Sequence, residues 1–96
     1  MTQALFREDA YQAETEATVL LSEPRGIALD RTVFYPQGGG QSGDQGMLEL
    51  EDGTVLPIVN TIYDSDRATI LHVLAEGAAL PRSGARVTAR IDWDLR

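Results

Sequence analysis

A glycine-rich stretch between two extended runs constrains the fold of this chain more than any other feature. Five of its nine glycines lie between positions 38 and 46. The run over residues 32–35 before them is apolar and aromatic, Pro36 ends that run, and an alternating run begins at Met47. Glycine makes the backbone costly to order, so the cluster indicates either a tight reversal with positive φ angles or close approach of a ligand to bare backbone. A mobile surface loop is the third interpretation.

Most of the remaining sequence has the short alternating runs that are typical of strands. Such runs cover residues 18–22, 26–30, 32–35, 47–51, 54–59, 68–74 and 86–93. Residues 8–17 are rich in helix-forming side chains and predict a turn or two of helix. Six or seven short strands with this little helix predict an all-β fold, a small closed or nearly closed β-barrel, with an open two-sheet sandwich as the alternative.

Three local signals refine the predicted strands. Asp52-Gly53 predicts a hairpin with a two-residue type I′ turn, in which both residues need positive φ. Pro57 has no N–H to donate to a ladder, so its strand lies at an edge or carries a bulge. In the last run one face is apolar and the other is charged or polar. The apolar face consists of Val87, Ala89, Ile91 and Trp93, and the opposite face of Arg86, Thr88, Arg90 and Asp92.

Size and composition predict one domain over residues 1–96. The apolar fraction of 43% is enough for one modest core, and there is no cysteine for a disulfide. No apolar run approaches the ~18 residues of a membrane span, and the first residues lack the form of a signal peptide. We therefore expect a cytoplasmic protein with no membrane partner.

The net charge of −7 argues against a general nucleic-acid binder, which needs a basic surface. The charge is uneven, however, because the last sixteen residues are net positive. Their cations are Arg82, Arg86, Arg90 and Arg96. This arginine face is either an ordinary solvated surface or a contact for a phosphate backbone or an acidic partner. Trp93 and Leu95 near the end predict an apolar surface covered by a following segment or by a second copy in a homodimer.

Known nucleotide and metal motifs do not account for the glycines. Gly38-x-Gly40-x-x-Gly43 has the letters of a dinucleotide fingerprint, but that motif opens a helix, and here a strand is predicted next. A phosphate-binding P-loop requires a lysine, and the chain has none. His72 is the only histidine, so with no cysteine the favoured ligands of a zinc site are lacking. We expect His72 to be a structural hydrogen-bonding group.

Residues 32–46, Thr-Val-Phe-Tyr-Pro-Gln-Gly-Gly-Gly-Gln-Ser-Gly-Asp-Gln-Gly, resemble the glycine-rich signature of the alanyl-tRNA synthetase editing domain. They resemble still more closely the free-standing alanyl-tRNA editing (AlaX-type) proteins. The flanking segments 5–11, 29–31, 72–74, 84–87 and 91–93 also resemble that family. Ser42 is a departure, because proline is common at its position.

This resemblance implies a translation-factor-like β-barrel and a hydrolase that removes serine or glycine from mischarged alanine tRNA. In the family, the Asp-Trp segment leads into a second module with His-x-x-x-His and Cys-x-x-x-His zinc ligands, which these 96 residues lack. The chain then corresponds to the N-terminal barrel half of an editing unit. We expect it to have no metal of its own, to need the zinc-bearing module as a partner, and to be inactive alone.

The resemblance also assigns individual residues. Gly38, Gly39 and Gly40 would form one wall of the pocket for the aminoacylated 3′ end of the tRNA. Gln41 would supply a polar contact, and the Thr32 hydroxyl would read the amino-acid side chain. Four further residues have predicted structural roles in the loop: Pro36, Gly43, Asp44 and Gly46. The alternative function is a non-catalytic tRNA-binding or assembly module that acts through the arginine face.

Overall fold

The computed structural model describes residues 3–4, 13–38, 43–66 and 69–92. These residues form strands and connections and no helix, so none of them belongs to a helix that could span a membrane. The strands are β1 (Gln3–Ala4), β2 (Glu14–Glu23), β3 (Gly26–Leu29), β4 (Arg31–Thr32), β5 (Gly46–Leu50), β6 (Val55–Tyr63), β7 (Ile70–Leu74) and β8 (Arg86–Ile91).

Six strands form a closed antiparallel barrel in the order β2-β3-β7-β6-β5-β8, with β8 pairing back onto β2. The small closed barrel predicted from the sequence is therefore confirmed, and the open sandwich is excluded. The short strands β1 and β4 form a separate parallel pair. Along β8 the predicted alternation is present: Val87, Ala89 and Ile91 are buried, whereas Arg86 and Arg90 are exposed.

One apolar cluster fills the barrel, with side chains from every barrel strand and from the segment after β4. Since alternate residues of a strand point to opposite faces, a strand such as β8 supplies this core with one face while its other face meets solvent. Strand β3, in contrast, is buried on both faces. The buried members are Ala17, Val19, Ile27, Leu29, Val33, Phe34, Leu48, Leu56, Ile58, Leu74, Val87, Ala89 and Ile91.

Two predicted elements are wrong in part. Residues 14–17 of the predicted helix belong to β2 and pair with β8, for example Ala17 with Val87. Pairing and burial in the barrel override their helix propensity, and residues 8–12 lie outside the described ranges. The strand predicted over residues 32–35 ends at Thr32. Val33 and Phe34 are both buried, which the alternation of a half-buried strand does not allow.

The hairpin predicted at Asp52-Gly53 joins β5 and β6, but its loop has three residues, 51–53. The Leu50 N–H donates to the Thr54 carbonyl at 2.8 Å, and the Gly53 N–H donates to the Leu50 carbonyl at 3.0 Å. Gly53 has a φ of 92°. A turn followed by a left-handed glycine is the usual form of a three-residue hairpin loop.

The strand that contains Pro57 is not an edge strand, because β6 pairs with both β5 and β7. The other predicted alternative, a bulge, is present between Ile58 and Asn60. The Pro57 carbonyl accepts a hydrogen bond from the Ala75 N–H at 3.1 Å. An N–H at position 57 would point to the same side as this carbonyl, toward Ala75, which lies beyond the end of β7 at Leu74. The ladder between β6 and β7 therefore needs no donor at position 57.

Candidate site at the glycine-rich loop

The described ends of the glycine-rich loop, residues 35–38 and 43–44, are bonded directly to each other. The Asp44 N–H donates to the Tyr35 carbonyl at 2.9 Å, and the Tyr35 N–H donates to Asp44 Oδ2 at 2.8 Å. Both the backbone and the carboxylate of Asp44, a residue with a predicted structural role in the loop, therefore connect the two ends.

Asn60, which follows the bulge in β6, connects the same two ends. Its Oδ1 accepts the Gly43 N–H at 2.9 Å and the Thr61 N–H at 2.9 Å. Its Nδ2 donates to Gln37 Oε1 at 2.8 Å. Because a backbone N–H can only donate, these contacts fix which end of the Asn60 amide is the oxygen. The orientation of the Gln37 amide follows from it.

Thr61 completes the attachment of the loop to β6. The Gln37 N–H donates to the Thr61 carbonyl at 2.6 Å, and Thr61 Oγ1 donates to the Asp44 carbonyl at 2.8 Å. Thr61 has no exposed surface, so its own carbonyl and hydroxyl groups would be costly to leave unpaired. Together, Tyr35, Asp44, Asn60 and Thr61 form a network that we call the loop clamp.

Sequence reasoning missed Asn60 and Thr61. The signal was two adjacent polar residues in the apolar strand Val55–Tyr63, three positions after a proline that had already indicated a bulge. A bulge changes the direction of a side chain, which is why bulges are frequent beside functional sites. Their partners lie seventeen and more positions away, so local sequence does not show what the two residues bind.

The described glycines of the loop differ in whether their surroundings leave room for a side chain. A Cβ on Gly43 would overlap the Thr61 carbonyl oxygen, and one on Gly46 would overlap the Arg90 carbonyl oxygen and lie 2.9 Å from Phe34 Cζ. A Cβ on Gly38 would meet no atom of the described residues within 4 Å. None of the three has a φ in the left-handed region. Packing therefore requires glycine at 43 and 46 but not at 38.

Thr32 and His72 form a buried hydrogen-bonded pair next to this loop. Both side chains have no exposed surface. His72 Nδ1 lies 2.8 Å from the Ile27 carbonyl and donates to it, which leaves Nε2 to accept from Thr32 Oγ1 at 2.6 Å. Thr32 Oγ1 in turn accepts the Phe34 N–H at 3.0 Å. The predicted structural hydrogen-bonding role of His72 is confirmed.

Burial lowers the pKa of His72 to about 4, against the opposing effect of its hydrogen bond to Ile27. The ring is therefore neutral at pH 7, and the edge of Phe34 packs against it with ring centroids 5.3 Å apart. The Thr32 hydroxyl is already used as both donor and acceptor. Its predicted role in reading a substrate side chain stays a prediction, and would require the hydroxyl to be uncovered.

The other predicted site residues separate into two groups. Pro36 is buried beneath the loop, whereas Gly38 is exposed. Gly39, Gly40 and Gln41 lie outside the described residues, so their predicted contacts with the tRNA 3′ end stay predictions.

The predicted arginine face is largely paired with acids. Arg86 lies 3.3 Å from Glu16, and Arg90 lies 3.4 Å from Glu14, both across the β2–β8 ladder. Arg82 lines a groove that also contains Glu51 and Asp52. Arg96, and the residues Trp93 and Leu95 of the predicted dimer surface, lie outside the described residues. Where it is described, this surface alternates in charge and is not a basic patch.

No three histidine, cysteine, aspartate or glutamate side chains gather into a possible metal site within the described ranges. The whole sequence has one histidine and no cysteine. These residues do not fit the zinc ion that the family resemblance implies for its second module, so no chemical step is assigned to a metal in this chain.

Fold and site together define a small antiparallel β-barrel that presents a clamped glycine-rich loop. A family described as tRNA synthetases class II (A) matches residues 2–95. An alanine–tRNA ligase of Metallosphaera sedula is 41% identical over 99% of this chain and 10% of its own length. Alanyl-tRNA editing protein AlaX-M of Pyrococcus horikoshii is 36% identical over 100% of this chain and 41% of its own length. The AlaX-M of Saccharolobus solfataricus is 34% identical, with 100% and 40% covered.

The chain therefore belongs to the class II (A) tRNA synthetase family, in the group shared by alanine–tRNA ligases and alanyl-tRNA editing proteins. The resemblance identified from the glycine-rich stretch is confirmed. The chain spans about two fifths of the length of the editing proteins and about a tenth of the length of the ligases.

Proposed function

We propose that this chain is the β-barrel part of an editing hydrolase that removes serine or glycine from mischarged alanine tRNA. Two relatives matched over its whole length are named alanyl-tRNA editing proteins. The observation that carries the proposal is the loop clamp, because it fixes both ends of the glycine-rich stretch through which the resemblance was recognised. A loop that needed only to connect two strands would not require this many hydrogen bonds among its two ends and β6.

In this proposal the glycine-rich loop forms one wall of the pocket for the aminoacylated 3′ end. Loop ends fixed in advance lose little conformational entropy when RNA binds, which favours binding. Gly38, Gly39 and Gly40 would bring bare backbone close to the terminal ribose and ester, with Gln41 as a polar contact. The function of this chain is therefore to bind and orient the RNA end.

The partner in the proposal is the zinc-bearing editing module, and this chain alone is not catalytic. A cytoplasmic location belongs to the same proposal. The non-catalytic module acting through Arg82, Arg86, Arg90 and Arg96 is less well supported. Two of these arginines face glutamates across the ladder, so little positive charge is left for phosphates at that surface.

Deacylation of serine-charged alanine tRNA tests the proposal. The 96 residues alone should release no more serine than buffer does. A chimera in which they replace the aligned 96-residue segment of Pyrococcus horikoshii AlaX-M should hydrolyse the ester, with the parent AlaX-M as the positive control. Turnover by the isolated chain, or a folded chimera that binds tRNA but stays inactive, would refute it.

A further inference from the structure

A cleft beside the loop clamp is lined by residues from two segments. It has a volume of about 770 Å³, and the described residues around it are Gln37, Gly38, Tyr63, Asp64 and Ser65. One wall is the start of the glycine-rich loop, and the other is the end of β6 with the turn that follows it. The cleft is large enough for a planar ring. Polar and aromatic groups line it at an exposed position.

Gly38 is the first feature of the cleft that suits a ligand. Neither its φ nor the packing of the described residues requires glycine, since none of their atoms lies within 4 Å of the place that a Cβ would take at this position. Glycine weakens the fold where it is not needed. A position that lines a cleft and carries no side chain gives a ligand direct access to the backbone.

Gln37 supplies a hydrogen-bond donor whose orientation is fixed. Its Oε1 accepts from Asn60 Nδ2 at 2.8 Å, and Asn60 cannot be turned round without opposing two backbone N–H donors. No hydrogen bond within the described part of the chain uses the Nε2 amino group of Gln37, so this end of the amide remains for a ligand in the cleft. An NH₂ group recognises acceptor atoms such as carbonyl oxygens and ring nitrogens.

Tyr63 supplies an aromatic surface, and Asp64 selects against phosphate. The Tyr63 side chain is 38% exposed. The Asp64 carboxylate pairs with Arg25 and accepts the Ser65 N–H, and these bonds hold its pKa below the usual value, so it is charged at pH 7. Arg25 is shared between Asp64 and Glu23, so this group of three charges is net negative, which disfavours a phosphate but not a neutral planar ring with acceptor atoms.

We propose that this cleft binds one unpaired nucleobase of the RNA 3′ end, stacked on Tyr63 and hydrogen-bonded at its acceptor edge by Gln37. Sequence-specific RNA sites commonly use splayed-out bases stacked on aromatic side chains. The inference rests on the proposed function and adds to it the place where a base beside the ester is held. It also gives Asn60 a function as the positioning residue that fixes the Gln37 amide.

Binding of 5′-labelled, uncharged alanine tRNA, measured by fluorescence anisotropy, tests the stack. Tyr63→Leu should weaken binding about tenfold, in the range of a single base–aromatic stack, while Tyr63→Phe should stay within twofold of the wild type. Val59→Ala, an exposed position on the same strand, is the matched control and should also stay within twofold. The same tRNA without its unpaired 3′ nucleotides should lose the difference between wild type and Tyr63→Leu.

Wild-type affinity for Tyr63→Leu overturns the inference, and so does an equal loss with intact and shortened tRNA. If the wild-type chain binds no tRNA at all, the proposed function fails, and adenosine, which carries the base without a phosphate, then tests the cleft separately. In a titration followed by amide NMR, shifts centred on Gly38 and Tyr63 that Tyr63→Leu abolishes support the cleft as a nucleobase site. Unchanged spectra, or shifts elsewhere only, reject it.

Discussion

The two ends of the glycine-rich loop contain the same residue type for opposite reasons. At the far end, Gly43 and Gly46 lie against carbonyl oxygens of neighbouring strands with no room for a Cβ. At the near end, Gly38 lines a cleft and has room for a Cβ among the residues that the structure describes. Packing in the barrel requires glycine at positions 43 and 46, whereas glycine at position 38 serves the proposed ligand. Glycine content alone therefore does not locate a binding site, whereas the space around each glycine does.

The largest effect on stability is expected at Gly43. Gly43→Ala should cost at least about 3 kcal/mol or prevent folding, because the new methyl group overlaps the Thr61 carbonyl and must displace it. Gly38→Ala should leave the free energy of unfolding within about 1 kcal/mol of wild type, and can raise it. Urea unfolding of the two variants measures both. Equal losses at the two positions would contradict the distinction.

The buried side of the loop should also carry a pH dependence. The pKa of His72 is lowered from 6.5 to about 4 in the folded chain, so the unfolded chain binds more protons between these values. Stability from this group is complete above pH 6.5 and is lost as the pH falls toward 4, by about 3 kcal/mol.

His72→Gln separates this effect from the titration of carboxylates, since it should flatten the slope between pH 6.5 and 4 even though it lowers stability at pH 7. An NMR titration of the wild-type ring is the second measurement. A His72 ring that takes up its proton near pH 6.5 in the folded state would show that the buried pair with Thr32 is not formed.

Asn60 should have the next largest effect. Asn60→Ala leaves the Gly43 and Thr61 N–H groups without their acceptor and should cost about 2 kcal/mol. Asn60→Asp is the matched variant, because it keeps an acceptor for both N–H groups but loses the donor to Gln37. The unfolding free energy of Asn60→Asp should be closer to that of the wild type than to that of Asn60→Ala. Its tRNA affinity should be closer to that of Asn60→Ala than to that of the wild type. If both variants kept wild-type stability and affinity, the loop clamp would not matter to either.

The smallest effect is expected on the outer face of β8, remote from both loop ends. Arg86→Ala combined with Arg90→Ala should change stability by less than about 1 kcal/mol, because both pairs are exposed. In the proposed function its tRNA affinity should change by no more than a few-fold, with nearly the same dependence on salt. Loss of salt-sensitive binding in this variant would instead support the alternative module that acts through the arginine face.

The strand pattern could be predicted from the sequence because each run depends on local alternation, as β8 shows with Val87, Ala89 and Ile91. The extension of β2 back to Glu14 could not, because it depends on pairing with β8 more than seventy positions away. The glycine-rich stretch identified the family but not the loop clamp, whose residues Asn60 and Thr61 are unremarkable until folding places them beside Gly43. Pro57 shows the same limit. The sequence left open whether its strand lies at an edge or carries a bulge, and only the pairing of β6 with both β5 and β7 decided for the bulge.

Closure of the barrel has a consequence for how larger relatives can be assembled. Each of the six barrel strands already has a strand partner on both sides, so this ring cannot be lengthened by adding a strand from another module. Whatever packs against it must use side chains and connecting loops. Modules that meet in this way can vary in sequence and angle at the joint while the barrel's own hydrogen bonding stays unchanged.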